Sequence, residues 1–81
     1  MNESLEGMNQ KERLHEFFTQ YVKPIGRESY DQDGNISFAT MKEAVALLLE
    51  NHVFESAYEM KMEALREFEV IIPYELFEKD G

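Results

Sequence analysis

The chain has 81 residues and a formal charge of −9, with 8 Lys and Arg residues against 17 Asp and Glu residues. This length predicts one small domain over residues 1–81, in which residues 1–8 are expected to be flexible. Cysteine is absent, which excludes disulfides, thiol catalysis and cysteine-ligated metals. The acidic balance disfavours direct contact with nucleic acid or anionic membranes, and no apolar run is long enough to span a bilayer.

The first predicted element is an amphipathic helix over 9–22. Its apolar side chains recur at intervals of three and four residues, which gathers them on one helical face. They are Leu14, Phe17, Phe18, Tyr21 and Val22. Asn9 and Glu12 form a capping-box pattern at the start of the helix. Pro24 and Gly26 predict its end, because proline lacks a backbone N–H and glycine accepts a left-handed exit.

A polar, turn-rich loop follows the first helix. It contains Asp31, Asp33, Gly34 and Asn35 within five consecutive positions. This stretch resembles the calcium-binding loop of the EF-hand family: with Gly34 at the sharp turn, Asp31 and Asp33 occupy two side-chain ligand positions. The resemblance implies that the carbonyl oxygen of Asn35 is a further ligand. Asp31, Asp33 and Asn35 are therefore the candidate metal ligands, with calcium as the ion.

Two positions of this loop depart from the EF-hand pattern. Ser29 stands where the first acidic ligand belongs, and Thr40 stands where a Glu normally supplies two oxygens. Asp, Gly and Asn also form ordinary tight turns, because they tolerate the backbone conformations that turns require. We therefore expect a turn without a cofactor, and calcium binding is the alternative.

The second helix is predicted from Thr40 to Asn51, after a short extended piece over 36–38. Thr40 and Glu43 form a second capping-box pattern at its start. Its inner stripe, widened by two further leucines, is predicted to cover most of the helix surface. The stripe consists of Met41, Ala44, Val45 and Leu48, and the widening residues are Leu47 and Leu49.

The third helix is predicted from Phe54 or Glu55 to Phe68 or Val70. Six residues are predicted to share its inner face: Phe54, Ala57, Tyr58, Met62, Leu65 and Phe68. Lys61 falls within this stripe, so its stem is expected to lie along the core with its ammonium group in solvent. The alternative is an ion pair between Lys61 and a carboxylate of the 31–33 loop.

A short C-terminal element is predicted after the third helix. Pro73 suits the first position of a short turn over 73–79, which carries Leu76 and Phe77. The β-branched stretch 70–72 fits either an extension of the helix or a strand. Residues 70–77 are expected to fold back onto the helices, and contact with a second copy of the chain is the alternative.

Together, these elements predict a mainly α fold. The expected architecture is a small three-helix bundle with a polar loop after helix 1 and a short C-terminal element. The alternative is an α+β fold with a minor two-stranded ribbon that pairs 36–38 with 70–72. Both stretches are short, which favours the all-helical arrangement.

Four glutamates recur at intervals of four residues: Glu55, Glu59, Glu63 and Glu67. Like charges at this spacing destabilise an isolated helix by about 0.2–0.5 kcal/mol per pair. One interpretation is a solvated face that keeps the protein soluble. The other is a surface that binds a basic region of a partner protein. Met60 is predicted to point away from the inner stripe, as an exposed apolar contact beside the glutamates.

Enzymatic activity is not expected, because no spacing in the sequence indicates a nucleophile, a base and an orienting group that converge. We predict a small acidic helical protein that binds a partner protein in the cytoplasm, as a regulator or inhibitor. Its length and charge are similar to those of small acidic inhibitors and anti-nuclease proteins of phages and plasmids. The alternatives are a calcium-responsive helix-loop-helix and a structural homo-oligomer that associates through 70–77.

Overall fold

The computed structural model of the protein describes residues 7–78. Its helices are α1 (Gln10–Thr19), α2 (Phe38–Glu50) and α3 (Ala57–Phe68). Two short 3-10 turns lie at Arg27–Ser29 and Tyr74–Phe77. Between residues 7 and 78 there is no β-strand, and Tyr30 and Ile36 form an isolated antiparallel bridge. The prediction of a mainly α, three-helix bundle is confirmed, and the alternative, a ribbon between 36–38 and 70–72, does not form.

Phe17 of α1 lies at the centre of the hydrophobic core. Its side chain is fully buried. Four aromatic rings surround it, with centroid distances between 5.1 and 6.2 Å. They belong to Phe18, Tyr21, Phe54 and Phe68. Since these rings come from α1, from the turn before α3 and from the end of α3, the cluster joins two helices into one core.

The start of α1 is as predicted, whereas its end comes earlier. Asn9 Oδ1 accepts a hydrogen bond from the Glu12 N–H at 2.8 Å, and Glu12 Oε1 accepts one from the Asn9 N–H at 2.9 Å. This reciprocal pair is the predicted capping box. The helix ends at Thr19 instead of residue 22. The N–H groups of Gln20 and Tyr21 donate to carbonyls three residues earlier, which tightens the chain into a turn.

The predicted start of α2 is wrong. The helix begins at Phe38, and Ser37 is its N-cap, because the Ser37 Oγ accepts a hydrogen bond from the Thr40 N–H at 3.3 Å. The predicted capping box of Thr40 and Glu43 therefore does not start the helix, because the hydroxyl of Ser37, three residues before Thr40, is the N-cap acceptor. The predicted extended piece over 36–38 ends at this cap, and Phe38 is an exposed residue of the first turn.

The inner stripe of α2 is confirmed, but only one of the two leucines predicted to widen it packs against the core. The four residues of the stripe are buried: Met41, Ala44, Val45 and Leu48. Leu49 is half-buried and packs against the core, whereas Leu47 is 50% exposed. Solvent therefore reaches one flank of α2, which leaves part of its surface uncovered.

The core-facing stripe of α3 differs from the prediction. Met60, Ala64 and Phe68 face the core, whereas Tyr58 and Leu65 are 70% and 45% exposed. The helix begins only at Ala57, and Phe54 buries its ring from the preceding turn. Phe54 is therefore not in phase with the helix, and an inner face counted from it is rotated away from the true one. The small side chain of Ala64 allows α3 to pack closely on α1.

The prediction for Met60 is wrong for the same reason. Its side chain is fully buried in the core, so it is not an exposed contact. Met62, which the sequence pattern assigns to the inner face, is half-buried and lies on the outer side of α3. The two methionines have exchanged roles because the helix is rotated relative to the prediction.

The C-terminal segment folds back onto the helices, as predicted. Val70, Ile72 and Leu76 are buried at 3%, 1% and 2% exposure, and the Tyr74–Phe77 turn packs against α2. Residues 70–72 are neither helix nor strand. Self-association through 70–77 stays a prediction, and Ile71 and Tyr74 are the large exposed side chains of this segment. Residue 79, the last of the predicted turn, lies outside the described residues.

Side chains of α1 hold both ends of the described chain. The Arg13 guanidinium donates to the carbonyl of Glu69 at 3.0 Å and to that of Met8 at 3.3 Å, and the Gln10 side chain donates to the carbonyl of Ile71 at 3.0 Å. Met8 also packs against the core. Of the segment predicted to be flexible, residues 1–6 lie outside the described residues. None of the described helices is long and apolar enough to cross a membrane.

Met60→Ala and Met62→Ala test the rotation of α3. We expect Met60→Ala to lower the free energy of unfolding by about 2–5 kcal/mol, because it leaves a cavity in the core. Met62→Ala should lower it by less than about 1 kcal/mol, because that side chain is on the outer side. Urea unfolding followed by circular dichroism measures both. Equal losses in the two variants would contradict this orientation of α3.

Candidate functional site

The four predicted glutamates lie on two neighbouring pieces of chain. Glu59, Glu63 and Glu67 are on α3, and Glu55 is in the turn before it. The Glu55 N–H donates a hydrogen bond to the Glu59 Oε2 at 2.8 Å. This places the Glu59 carboxylate at the N-terminus of α3, where the helix dipole favours negative charge. We call these four residues the acidic face.

Tyr21, in the turn after α1, shows where two residues of the acidic face meet the rest of the molecule. Burial raises the pKa of the Tyr21 phenol, and the nearby negative charges of Glu63 and Glu67 raise it further. Glu63 and Glu67 therefore lie on the flank of α3 that is near Tyr21. Between residues 7 and 78, none of its four carboxylates forms an ion pair. Glu63 is half-buried and the other three glutamates are exposed.

A shallow cleft of about 450 Å³ lies beside the acidic face. Its apolar lining includes Val53, Tyr58 and Met62. Its charged lining consists of the carboxylates of Glu59 and Glu63 and the guanidinium of Arg66. Tyr58 is 70% exposed and Val53 is 51% exposed, so the cleft offers apolar surface to solvent. An aromatic ring flanked by unpaired carboxylates suits a partner that carries both apolar and cationic groups.

The sequence pattern missed Tyr58 and Met62 as surface residues, although one signal for them was present. Ser56 and Glu59 have the spacing of a capping box, and the Ser56 Oγ accepts a hydrogen bond from the Glu59 N–H at 3.2 Å. This signature places the start of α3 at Ala57. From that start, Tyr58 and Met62 fall one turn apart on the outer side, next to the glutamates.

The Asp31 side chain organises the loop that resembles an EF-hand. Its Oδ1 accepts hydrogen bonds from the N–H groups of Asp33 at 2.8 Å and Asn35 at 3.1 Å. The carbonyl of Asn35, a predicted metal ligand, accepts the Asp31 N–H at 2.7 Å. Gly34 has a φ of 83°, the left-handed conformation that a tight turn here requires. These bonds make the loop a closed Asx turn.

Lys11 of α1 binds both carboxylates of this loop. Its ammonium lies 2.9 Å from Asp31 Oδ2 and 3.2 Å from Asp33 Oδ2. The Lys11 ammonium holds the pKa of Asp31 below its ordinary value, the N–H groups of Asn35 and Asp33 act in the same direction, and burial opposes them. The two carboxylates raise the pKa of Lys11 in turn. We call this arrangement the lysine clasp.

Calcium binding at Asp31, Asp33 and Asn35 stays an untested alternative to the predicted turn without a cofactor. Among residues 7–78, no three His, Asp or Glu side chains lie close enough to hold a metal ion together. A cation at this loop would also have to displace the ammonium of Lys11, which already balances the two carboxylates.

Lys61 does not reach the 31–33 loop. Its ammonium lies 5.5 Å from the centroid of the Phe77 ring, within the range of a cation–π contact. The predicted alternative, an ion pair between Lys61 and this loop, is therefore wrong, since Lys11 takes that place. The side chain of Lys61 instead ties α3 to the C-terminal turn.

Comparison with family models, with curated proteins and with solved structures finds no match for this chain.

The lysine clasp predicts that Lys11→Met lowers the free energy of unfolding by an amount that depends on pH in a bell-shaped manner. Asp31 has a lowered pKa, so its stabilisation is present above its ordinary value of 3.8 and is lost as the pH falls through the folded value. Lys11 has a raised pKa, so its stabilisation is present below 10.5 and is lost as the pH rises through the folded value. The variant should therefore be less stable than the unmodified protein between these limits and match it outside them.

Urea unfolding at stepped pH measures this difference. Lys23→Met is the matched control, because Lys23 is exposed and shows no ion pair among residues 7–78. It should leave the pH profile unchanged. A stability difference for Lys11→Met that does not vary with pH would contradict the ion pair.

Proposed function

We propose that the protein binds a partner protein with a basic surface and acts as its regulator or inhibitor. The acidic face is the contact surface. One observation supports this most directly: Glu59 and Glu63, which form no ion pair among the described residues, line a cleft that exposes Tyr58. The proposed setting is the cytoplasm.

The charge of the acidic face determines what it attracts. Like charges one turn apart repel each other, and a cationic surface placed against them relieves that repulsion. The net charge of −9 extends the same attraction over the whole molecule. Electrostatic steering of this kind speeds association, and salt weakens it. The expected partner surface therefore carries clustered Lys or Arg residues, such as the nucleic-acid-binding groove of another protein.

Tyr58 supplies the apolar part of the contact. Tyrosine is enriched among the interface residues that contribute most binding energy, because its ring buries a large area and few torsions become ordered. Here the ring stands beside Glu59 and Glu63, where the guanidinium of a partner arginine can stack on the ring and pair with a carboxylate. Solubility alone does not require an exposed aromatic ring beside the glutamates.

Reversing the charge of the acidic face tests the proposal. The double variant Glu59→Lys with Glu63→Lys should weaken binding to the partner by about tenfold or more, and should flatten its salt dependence, because two attractive contacts become repulsive. The partner is captured on the tagged protein at graded salt, identified by mass spectrometry and purified. Its dissociation constant is then measured by calorimetry at several salt concentrations.

The double variant Glu16→Lys with Glu28→Lys is the matched control. It makes the same change in net charge at exposed glutamates outside α3. Its dissociation constant should change by less than about threefold. If both double variants lose the same affinity, net charge alone drives binding and the acidic face is not the contact surface.

Tyr58→Ala should weaken binding to the same partner by about tenfold, because it removes the ring from the centre of the contact. The free energy of unfolding should change by about 0.5 kcal/mol or less, since 70% of the side chain is already exposed. Tyr74→Ala is the matched control, because Tyr74 is 62% exposed and does not line the cleft. Equal affinities of the two variants would exclude Tyr58 from the contact.

A further inference from the structure

A second and larger cleft lies between α2 and the C-terminal 3-10 turn, with a volume of about 720 Å³. Val45 and Leu76 are buried and form its floor, and Leu49 and Phe77 are half-buried and form its walls. It shares no residue with the acidic face or with the cleft beside Tyr58. We call this cleft the α2 groove.

The α2 groove is elongated along the helix. Residues of α2 line it at positions 39, 42–43, 46 and 49–50, which is one stripe at helical spacing. From Ala39 to Glu50 this stripe is about 16 Å long at the helical rise per residue. Ala39 and Ala46 are exposed and carry only methyl groups, so a second helix can approach the α2 backbone closely along the stripe.

The charges at the rim of the α2 groove are mainly negative. Three carboxylates, those of Glu43, Glu50 and Glu78, line it together with the ammonium of Lys42. An apolar floor with an acidic rim is complementary to a segment that is apolar along one side and basic along its flanks. A wholly apolar segment would leave these carboxylates without counter-charge, and an acidic segment would be repelled.

We propose that the α2 groove binds an amphipathic helical segment of a partner protein. Its apolar side chains fill the groove over Val45 and Leu76, and its Lys or Arg side chains pair with the rim carboxylates. A helix is favoured over an extended peptide because it satisfies its own backbone hydrogen bonds, whereas α2 offers side chains and no open strand edge. The α2 groove shares no residue with the acidic face, so this proposal can be tested independently of the proposed function.

A synthetic amphipathic helix of about 14 residues, with Leu at helical spacing and Lys elsewhere, is the probe. It is titrated into the ¹⁵N-labelled protein, and amide shifts are followed by NMR. We expect the shifts to concentrate at Ala39, Ala46, Leu49 and Phe77. A scrambled peptide of the same composition should bind about tenfold more weakly, because its apolar side chains no longer share one side.

Ala46→Arg tests the groove itself. It places a long cationic side chain at an exposed position in the middle of the stripe, so peptide affinity should fall by about tenfold or more. Ala39→Arg serves as a second variant at the end of the groove, and the amide spectrum shows whether each variant is folded. Thr19→Arg, at an exposed position of α1, adds the same charge and should change the affinity by less than about threefold.

Three results would overturn the proposal: equal binding of the scrambled peptide, shifts centred on Glu59 and Glu63, or no difference between Ala46→Arg and Thr19→Arg. The double variant Glu59→Lys with Glu63→Lys separates this proposal from the proposed function. It should leave the groove shifts in place, even though it weakens capture of a partner through the acidic face.

Discussion

The packing of Phe17 against rings from both ends of α3 is the contact on which the rest of the structure depends. Phe54 lies before α3 and Phe68 closes it, and both rings contact Phe17 at about 6 Å between centroids. Two contacts at opposite ends of one helix fix its position along α1 and its rotation about its own axis. Aromatic pairs of this kind contribute about 0.5–1.5 kcal/mol each beyond the area they bury, a large share of the stability of so small a domain.

The rotation of α3 decides which side chains are available for function. With Met60 and Ala64 turned inward, the glutamates fall on the flank beside Tyr21, and Tyr58 stands in solvent next to them. On the other side of the core, α2 buries one stripe and leaves the adjoining row of small and charged side chains uncovered. Both candidate surfaces are therefore products of helix packing, and neither requires a specialised loop.

Local patterns in the sequence predicted those features that local contacts determine. The capping box of Asn9 and Glu12 and the inner stripes of α1 and α2 follow from neighbouring residues. The fold-back of 70–77 was predicted from the apolar composition of that segment. The rotation of α3 about its axis could not be predicted in this way. Phe54 reaches the core from the turn before the helix, but its spacing from later apolar residues resembles that of a residue within the helix. The partner of Asp31 was also out of reach, since Lys11 lies 20 residues earlier in the chain and meets it only in the folded molecule. Met60 was assigned to the surface by the same error of phase.

The hydrogen bonds from α1 to the end of the chain bear on the order in which the protein folds. Gln10 and Arg13 bind carbonyls of residues 55 to 61 positions later in the sequence. Contacts of such separation close a long loop, whose entropy must be lost before the contacts form. During synthesis, α1 is made before α2, α3 and the segment to which it binds. The buried core includes Ile72 and Leu76, so the domain completes its core only once residue 76 has emerged.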